Sequence, residues 1–514
     1  MKIVKKTLDL ITRFIVPIDF VLAACFAFSI YRIVFIKNYL GFFPPKYIIV
    51  SILFVIFTIC ALYVQIKKDK TAFHRIVILL IIPVGMMYIF FIPPTFVPDE
   101  QTHMLKSYEA STGKLITDQT SDDAPTIEMP RFFENRSIDN IDKYDKFNLA
   151  LKEKTDYTNT KKVQTSAAGY CFVSYLFSSL GFLIGRTFSI NGLLAFYLAR
   201  IFNYSFFIFA IYESLKFIPF GKYIIVVFSF LPMTLQQAAS LSPDSMLISC
   251  SIIYIAMTLY IKYKSPVFKT WEKIIYSSLC ILIMLSKAAY FPLLGMSLLL
   301  LKTNHKQESI RRRWTYLIFN VILAIGIGYV WFKYSQSYNA PDIFKEFYAQ
   351  NHVNPTKQIK MILSDPEHLG LAIQNFFISN AGLLIETVGL HLGWLNINIG
   401  MGPVIAFIIM LAISPFFDTE ALPLTGLERG WICIITASIY LIIMIGFYIT
   451  WTGIGADKVA GTQGRYFLPV LVLPFLAAYN KKSQISYKYQ VLVFPIILVI
   501  LEYLVLRNVT LFFL

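Results

Sequence analysis

Long apolar runs, separated by short basic or proline-containing segments, dominate the chain. Runs long enough to cross a bilayer occur at about 14–36, 47–66, 75–94, 192–214, 222–240, 245–263, 315–333, 430–451 and 489–511. Shorter runs occur at 168–187, 274–286, 288–301, 402–417 and 466–480. A hydrocarbon core of about 30 Å needs roughly 20 apolar residues in a helix rising 1.5 Å per residue. The long runs therefore predict membrane helices, and they lack the alternating polar and apolar dyads of a barrel strand. The fold expected is an all-α polytopic membrane protein.

Lysine and arginine in short loops set orientation, because cytoplasmic loops carry the excess of positive charge. Segments 2–13, 67–75, 216–222, 262–273, 302–313 and 480–488 together hold 22 basic residues against four acidic ones. Placing all six on the cytoplasmic face leaves one conflict of parity: two apolar runs, 168–187 and 192–214, separate the outer loop 95–167 from Lys216. The run 168–187 contains Gly169, Gly181 and Gly185 and ends at Arg186, so it is expected to be re-entrant or interfacial. About 13 spans follow, with the N-terminus inside and the C-terminus outside. The basic start, MKIVKKTLDLITR, lacks a small-residue cleavage site and reads as a retained first helix. The loop 418–429 is expected inside although Asp418, Glu420 and Glu428 outnumber Arg429.

Composition narrows the class. Hydrophobic residues make up 57% and charged residues 15% of 514, too apolar for a large soluble enzyme, a disordered chain or a secreted disulfide scaffold. The net charge of +16 would suggest a nucleic-acid partner in a soluble chain. Here most of it belongs to the inner loops, so it is a signal of topology and no nucleic acid is implied. The six cysteines lie in apolar stretches without a C-x-x-C pair, and read as buried small hydrophobes.

Four regions are expected: an N-terminal two-helix hairpin (1–70), a transmembrane core (71–333) that includes the outer loop 95–167, an outer loop with amphipathic helices (334–400), and C-terminal transmembrane helices (401–514). Loop 95–167 carries ten basic and thirteen acidic side chains and reads as a polar cap. No repeat of fixed period is visible.

The candidate chemistry falls on the predicted outer face. In Pro98-Asp99-Glu100-Gln101-Thr102-His103, Pro98 suits the first turn of a helix, and Asp99 and Glu100 follow it there. His103 then faces Asp99 at i,i+4 or Glu100 at i,i+3. The motif is either a capped interfacial helix or a carboxylate base with an orienting histidine; Asp99 and Glu100 are also the candidates for a divalent cation, which would need further ligands. Ser242-Pro243-Asp244-Ser245 reads as a helix-capping turn or as a supporting acid. Lys287 stands between two short apolar half-helices and either snorkels to the outer interface or meets an anion. In Gln463-Gly464-Arg465-Tyr466-Phe467, Arg465 and Tyr466 are interfacial anchors or, with Gln463, a site for phosphate. Lys458 is nearby but lies in a flexible loop. Acids and cations gathered on one face are not what anchoring alone predicts.

The segments VPDEQTH, LSPDS, LSKAAYFPLL, GWLN around Trp394 and GTQGRYFLPVLVLP resemble the bacterial multi-span family known as domain of unknown function 2142. The likeness covers roughly 85–510, and PDE-x-x-H and QGRYF-x-P are its most specific motifs. That family resembles the GT-C superfamily of membrane glycosyltransferases, which use polyprenyl-phosphate sugars. The resemblance implies a GT-C-like fold, a carboxylate in the first large outer loop (Asp99 with Glu100) and an acid near the next outer turn (Asp244). One departure is that the acidic motif follows the third span rather than the first, so residues 1–70 lie outside the likeness.

The function expected is transfer of a sugar from a polyprenyl-phosphate donor to an extracytoplasmic cell-envelope glycan at the plasma membrane. Asp99 would be the base, and Lys287 and Arg465 would face the donor phosphate. Two other classes share these features: a lipid-linked glycan ligase or polymerase, and a non-catalytic polysaccharide exporter or flippase.

Overall fold

The computed structural model describes residues 2–33, 45–68, 73–119, 123–133, 150–265, 267–301, 310–379, 382–418, 424–479 and 490–513. Four of the basic segments (67–75, 262–273, 302–313 and 480–488) and residues 34–44 fall wholly or partly outside these residues, as do parts of loops 95–167 and 418–429. In chain order the helices are α1 (Lys2–Tyr31), α2 (Pro45–Lys68), α3 (Phe73–Phe91), α4 (Glu100–Ser111), α5 (Leu176–Thr187), α6 (Gly192–Phe217), α7 (Lys222–Ser229), α8 (Pro232–Ala238), α9 (Asp244–Tyr263) and α10 (Thr270–Ser286). They continue as α11 (Ile310–Ser335), α12 (Asp342–Gln350), α13 (Pro355–Ser364), α14 (Pro366–Ser379), α15 (Leu383–Val388), α16 (Met401–Ile413), α17 (Gly426–Thr450), α18 (Val472–Ala478) and α19 (Gln490–Phe513). Two antiparallel ribbons interrupt this nearly all-α arrangement: β1 (Thr126–Pro130) with β2 (Thr160–Gln164), and β3 (His391–Leu392) with β4 (Ile397–Asn398).

Among the described residues, six helices are long and apolar enough to cross a membrane: α3, α6, α9, most of α11, α17 and α19. Several other apolar runs form shorter or broken helices, so length and apolarity alone mark fewer crossings than the 13 or so expected. Run 222–240 breaks at Pro232, which begins α8 because a proline is accommodated only in a helix's first turn. Run 168–187 forms two 3-10 turns (167–169 and 172–175) and the twelve-residue α5, whose length of about 18 Å is too short to cross alone. Run 288–301 forms a 13-residue 3-10 helix, Ala288–Leu300, far longer than the usual three or four residues of that conformation. Broken backbone at membrane depth is tolerated where protein surrounds it, and every residue of α7 and α8 but Lys222 is buried.

Helix α9 is the centre of the bundle, with 94% of its apolar window buried, against 22% for α11 and 33% for α17 and α19. Its surroundings include α6, α10 and the long 3-10 helix. Within the N-terminal hairpin Phe26 stacks on Phe54 at 4.6 Å, and α1 packs on α3 through Phe28 against Phe90 at 5.4 Å and on α6 through Tyr31 against Tyr197 at 6.2 Å. The length of α9 separates two polar ends. At one end Lys262 pairs with Glu428 at 2.5 Å, Glu428 and Thr425 form a capping box on α17, and Asp418 accepts from the backbone N–H groups of Gly221 and Lys222. The acids of loop 418–429 that have described partners are thus committed to basic or N–H groups. At the other end lie Asp99, Asp244, Lys287 and Arg465.

Candidate functional site

Two prolines, Pro93 and Pro94, end α3 and feed a short loop into α4. Within it Thr95 and Asp99 take left-handed backbone conformations, at φ 65° and 64°, where a β-branched threonine is disfavoured and an aspartate is better tolerated. The helix begins at Glu100, not Pro98, and Asp99 is its N-cap without a side-chain capping bond. That twist sends two adjacent carboxylates in different directions.

Glu100 is fully buried and saturated. Arg200, in the middle of α6, donates Nε–H to Oε1 at 2.8 Å and Nη2–H to Oε2 at 2.6 Å. The backbone N–H groups of Leu241 and Thr95 fill the same two oxygens at 3.1 and 2.9 Å. The remaining guanidinium protons bind the carbonyls of Ile89, Ile92 and Pro93. Glu100 therefore has no lone pair turned to a reactant, which corrects the expectation that it shares the catalytic role of Asp99. Arg200 did not figure among the sequence candidates, although a lone arginine in the apolar run GLLAFYLARIFNYSFF is itself the signal of a buried partner.

Asp99, by contrast, is 50% exposed, and Arg465, 4% exposed, donates Nη2–H to its Oδ2 at 2.5 Å. Arg465 also donates to the carbonyl of Pro98 at 3.1 Å and to the hydroxyl of Tyr466 at 3.2 Å. Lys287 sits in extended backbone where α10 ends and the long 3-10 helix begins. Its ammonium reaches Asp244 Oδ1 at 3.2 Å and lies 4.6 Å from the centre of the Tyr466 ring, with the Arg465 guanidinium 5.1 Å from that ring. Tyr466 thus stands between two cations, and Tyr290 fixes it by donating to its carbonyl. The Ser242–Ser245 turn forms as expected, with Ser242 Oγ accepting from Asp244 N–H at 3.2 Å, and it directs its acid to Lys287.

His103 makes neither carboxylate contact expected of it. Because Asp99 is drawn to Arg465 and Glu100 to Arg200, the imidazole Nδ1 pairs with the Tyr175 hydroxyl at 2.8 Å, with Tyr170 edge-on at 5.2 Å. Burial pushes His103 down to about 4, a trend that Asp99 opposes and Arg465 reinforces, so the ring is neutral at physiological pH. Tyr170 and Tyr175 were not singled out in the sequence, where they lie in the run 168–187 expected to be re-entrant or interfacial.

Several buried polar atoms around these groups have no hydrogen-bond partner: Thr95 Oγ1, Ser245 Oγ, Ser286 Oγ, Gln463 Oε1 and Arg465 Nε. Four of the five belong to Asp244, Lys287 or Arg465 themselves or their near sequence neighbours. Unmet donors and acceptors of this kind are costly unless a polar species fills them. Gln463, expected on a phosphate, is at the start of the 3-10 helix Gly464–Val470, and Lys458 is exposed. Asp99 and Glu100 diverge onto separate arginines and do not fit a shared cation. Among the described residues no group of three or more His, Cys, Asp and Glu side chains is arranged to hold a metal ion.

The chain matches the family described as "Predicted membrane protein (DUF2142)" over residues 82–474 and belongs to it. That span contains every group of the site. No curated protein and no solved structure matches the chain.

Proposed function

We propose that this member of the family is a membrane glycosyltransferase that moves a sugar from a polyprenyl-phosphate-linked donor to an extracytoplasmic cell-envelope glycan. The observation that carries the reading is the convergence of Asp99, Asp244, Lys287 and Arg465 from four separate chain segments. Around them lie buried polar atoms still in need of partners. Two cations beside a half-open carboxylate suit a reaction that develops charge on a phosphate while a hydroxyl loses its proton.

The donor phosphate takes over the Arg465 guanidinium and the Lys287 ammonium, using the unfilled Nε–H of Arg465. Asp99 is released by that exchange, so the donor binds before the acceptor is activated. Asp99 then accepts the proton of the acceptor hydroxyl as its oxygen forms a bond to the anomeric carbon. The bond from that carbon to the phosphate oxygen breaks, and the electron pair leaves on polyprenyl phosphate. A single displacement inverts the anomeric centre. Neutral His103, held by Tyr175, keeps the site free of a third positive charge, and Glu100 with Arg200 serves as the frame of the loop.

The reading includes a GT-C-like arrangement of about 13 crossings in the plasma membrane, with the N-terminus cytoplasmic and the site on the outer face. It is supported by the separation of the site from the Lys262–Glu428 end along α9. The test is Asp99→Asn in cells and in purified protein supplied with a monosaccharide-phosphate-polyprenol donor. Loss of transfer with unchanged expression is the expected result. Undiminished modification of the surface glycan overturns the assignment, and loss of glycan translocation with transfer chemistry intact replaces it with an exporter.

A further inference from the structure

Beside the site, residues 383–400 form a compact amphipathic platform, with Leu384 and Leu395 exposed alongside its polar groups, and it has no part in the chemistry above. The ribbon β3–β4 pairs Leu392 with Ile397 and His391 with Asn398. Leu392 and Ile397 are fully buried, so strand alternation turns His391 and Asn398 to the opposite, outer face. There His391 Nδ1–H donates to Glu386 Oε1 at 2.8 Å, and the Asn398 amide lies 3.3 Å from His391 Nε2. His391 and Glu386 are 33% and 37% exposed at their side chains. At the turn, Trp394 is 38% exposed.

The platform is held rigidly against the site. Trp394 Nε1–H donates to the carbonyl of Thr95 at 3.1 Å, the strained residue four positions before Asp99. Gly393, at φ +59°, lets the turn close on Phe96, whose ring lies 2.6 Å from where a Cβ would stand. Gln236 of α8 accepts from Gly393 N–H at 2.7 Å. On the other side the backbone of Glu386 abuts Gly464, 2.4 Å from where its Cβ would be, and Arg465 follows directly. The platform therefore touches both chain segments that supply the Asp99–Arg465 pair.

We infer that Trp394, Glu386, His391 and Asn398 form a subsite for the acceptor, which belongs to the class of polyhydroxylated glycans. This rests on the glycosyltransferase reading for the acceptor's identity. A flat aromatic face covers the apolar face of a sugar ring, and planar carboxylate, imidazole and amide groups hydrogen-bond adjacent hydroxyls. A hairpin serving only as a membrane anchor does not call for the ordered Glu386–His391–Asn398 chain on its outer face.

The test is calorimetric titration of the full-length protein in nanodiscs with surface-polysaccharide fragments released by mild acid from the cells that make it. His391→Ala and Trp394→Ala should each weaken binding by about tenfold or more, and Trp394→Phe, which keeps the ring, should stay within about threefold. Unchanged thermal midpoints show that the variants are folded. Wild-type affinity in both alanine variants overturns the inference, as does the absence of saturable binding by the wild type. Reduced partitioning into phosphatidylglycerol vesicles with glycan binding intact makes the turn a membrane anchor and overturns it too. Asp99→Asn, assayed in parallel for sugar transfer, reads the enzymatic assignment separately: retained transfer removes that assignment, while glycan binding that depends on Trp394 and His391 survives it.

Discussion

Asp99 and Glu100 are neighbours in sequence, and each meets one arginine, yet the two pairs are built for opposite ends. Around Glu100 and Arg200 both side chains are 0% exposed, both carboxylate oxygens are doubly occupied, and the guanidinium is spent on three carbonyls besides. Around Asp99 and Arg465 one partner is half exposed, Nε of the arginine is idle, and the backbone is left-handed. A fully satisfied buried pair fixes structure, and a partly satisfied one with a half-exposed partner is free to exchange partners. The difference comes from one backbone torsion: the positive φ of Asp99 turns its side chain away from the direction in which Glu100 enters the core.

The comparison can be broken most severely at the closed pair. Glu100→Gln leaves Arg200 charged and buried without its counter-ion, and should cost about 3–5 kcal/mol, read as a lower thermal midpoint and poor yield of purified protein. Asp99→Asn should do the reverse. Asparagine accepts the left-handed region, so stability should hold within about 1 kcal/mol while transfer falls by about 100-fold or more. A stable Glu100→Gln protein, or an unstable Asp99→Asn one, would collapse the distinction.

The same swap at the two arginines sharpens it. Arg465→Lys keeps the charge and loses the planar fork, and should weaken donor-phosphate binding by about tenfold with little change in stability. Arg200→Lys should instead lower stability, since an ammonium cannot reach a carboxylate and three carbonyls in that geometry. The smallest effect expected is a pH dependence. Since His103 binds its proton less readily when folded (about 4) than when unfolded (about 6.5), the unfolded chain holds more protons between those values. Stability from this group is full above about pH 6.5 and declines as pH falls toward 4. His103→Gln should flatten the thermal midpoint over that window, and an unchanged slope would remove His103 as its source.

Much of this was visible in the chain. Hydropathy alone separates α3, α6, α9, α11, α17 and α19 as membrane-length helices, because a bilayer demands length and apolarity and little else. The site's members were legible too, since Asp99, Asp244, Lys287 and Arg465 are ionisable residues at the ends of apolar runs. Their pairing was not. Local spacing favours His103 beside Asp99 or Glu100, but contacts with Arg465 and Arg200, 366 and 100 residues away, outcompete it. Breaks such as that at Pro232 carry a local mark. The long 3-10 helix carries none beyond Pro292, and the β3–β4 ribbon is too short for its alternation to register.

That 3-10 helix has a mechanical meaning. Thirteen residues at about 2.0 Å each reach about 26 Å, whereas the same residues wound as α-helix reach about 20 Å. Ala288–Leu300 is thus a drawn-out tether, with Lys287 at its tip against Asp244. Rewinding it with its far end fixed retracts that tip by about 6 Å, more than enough to part the ammonium from Asp244. The reach of one cation toward Asp244 is in this way coupled to the winding of a single segment.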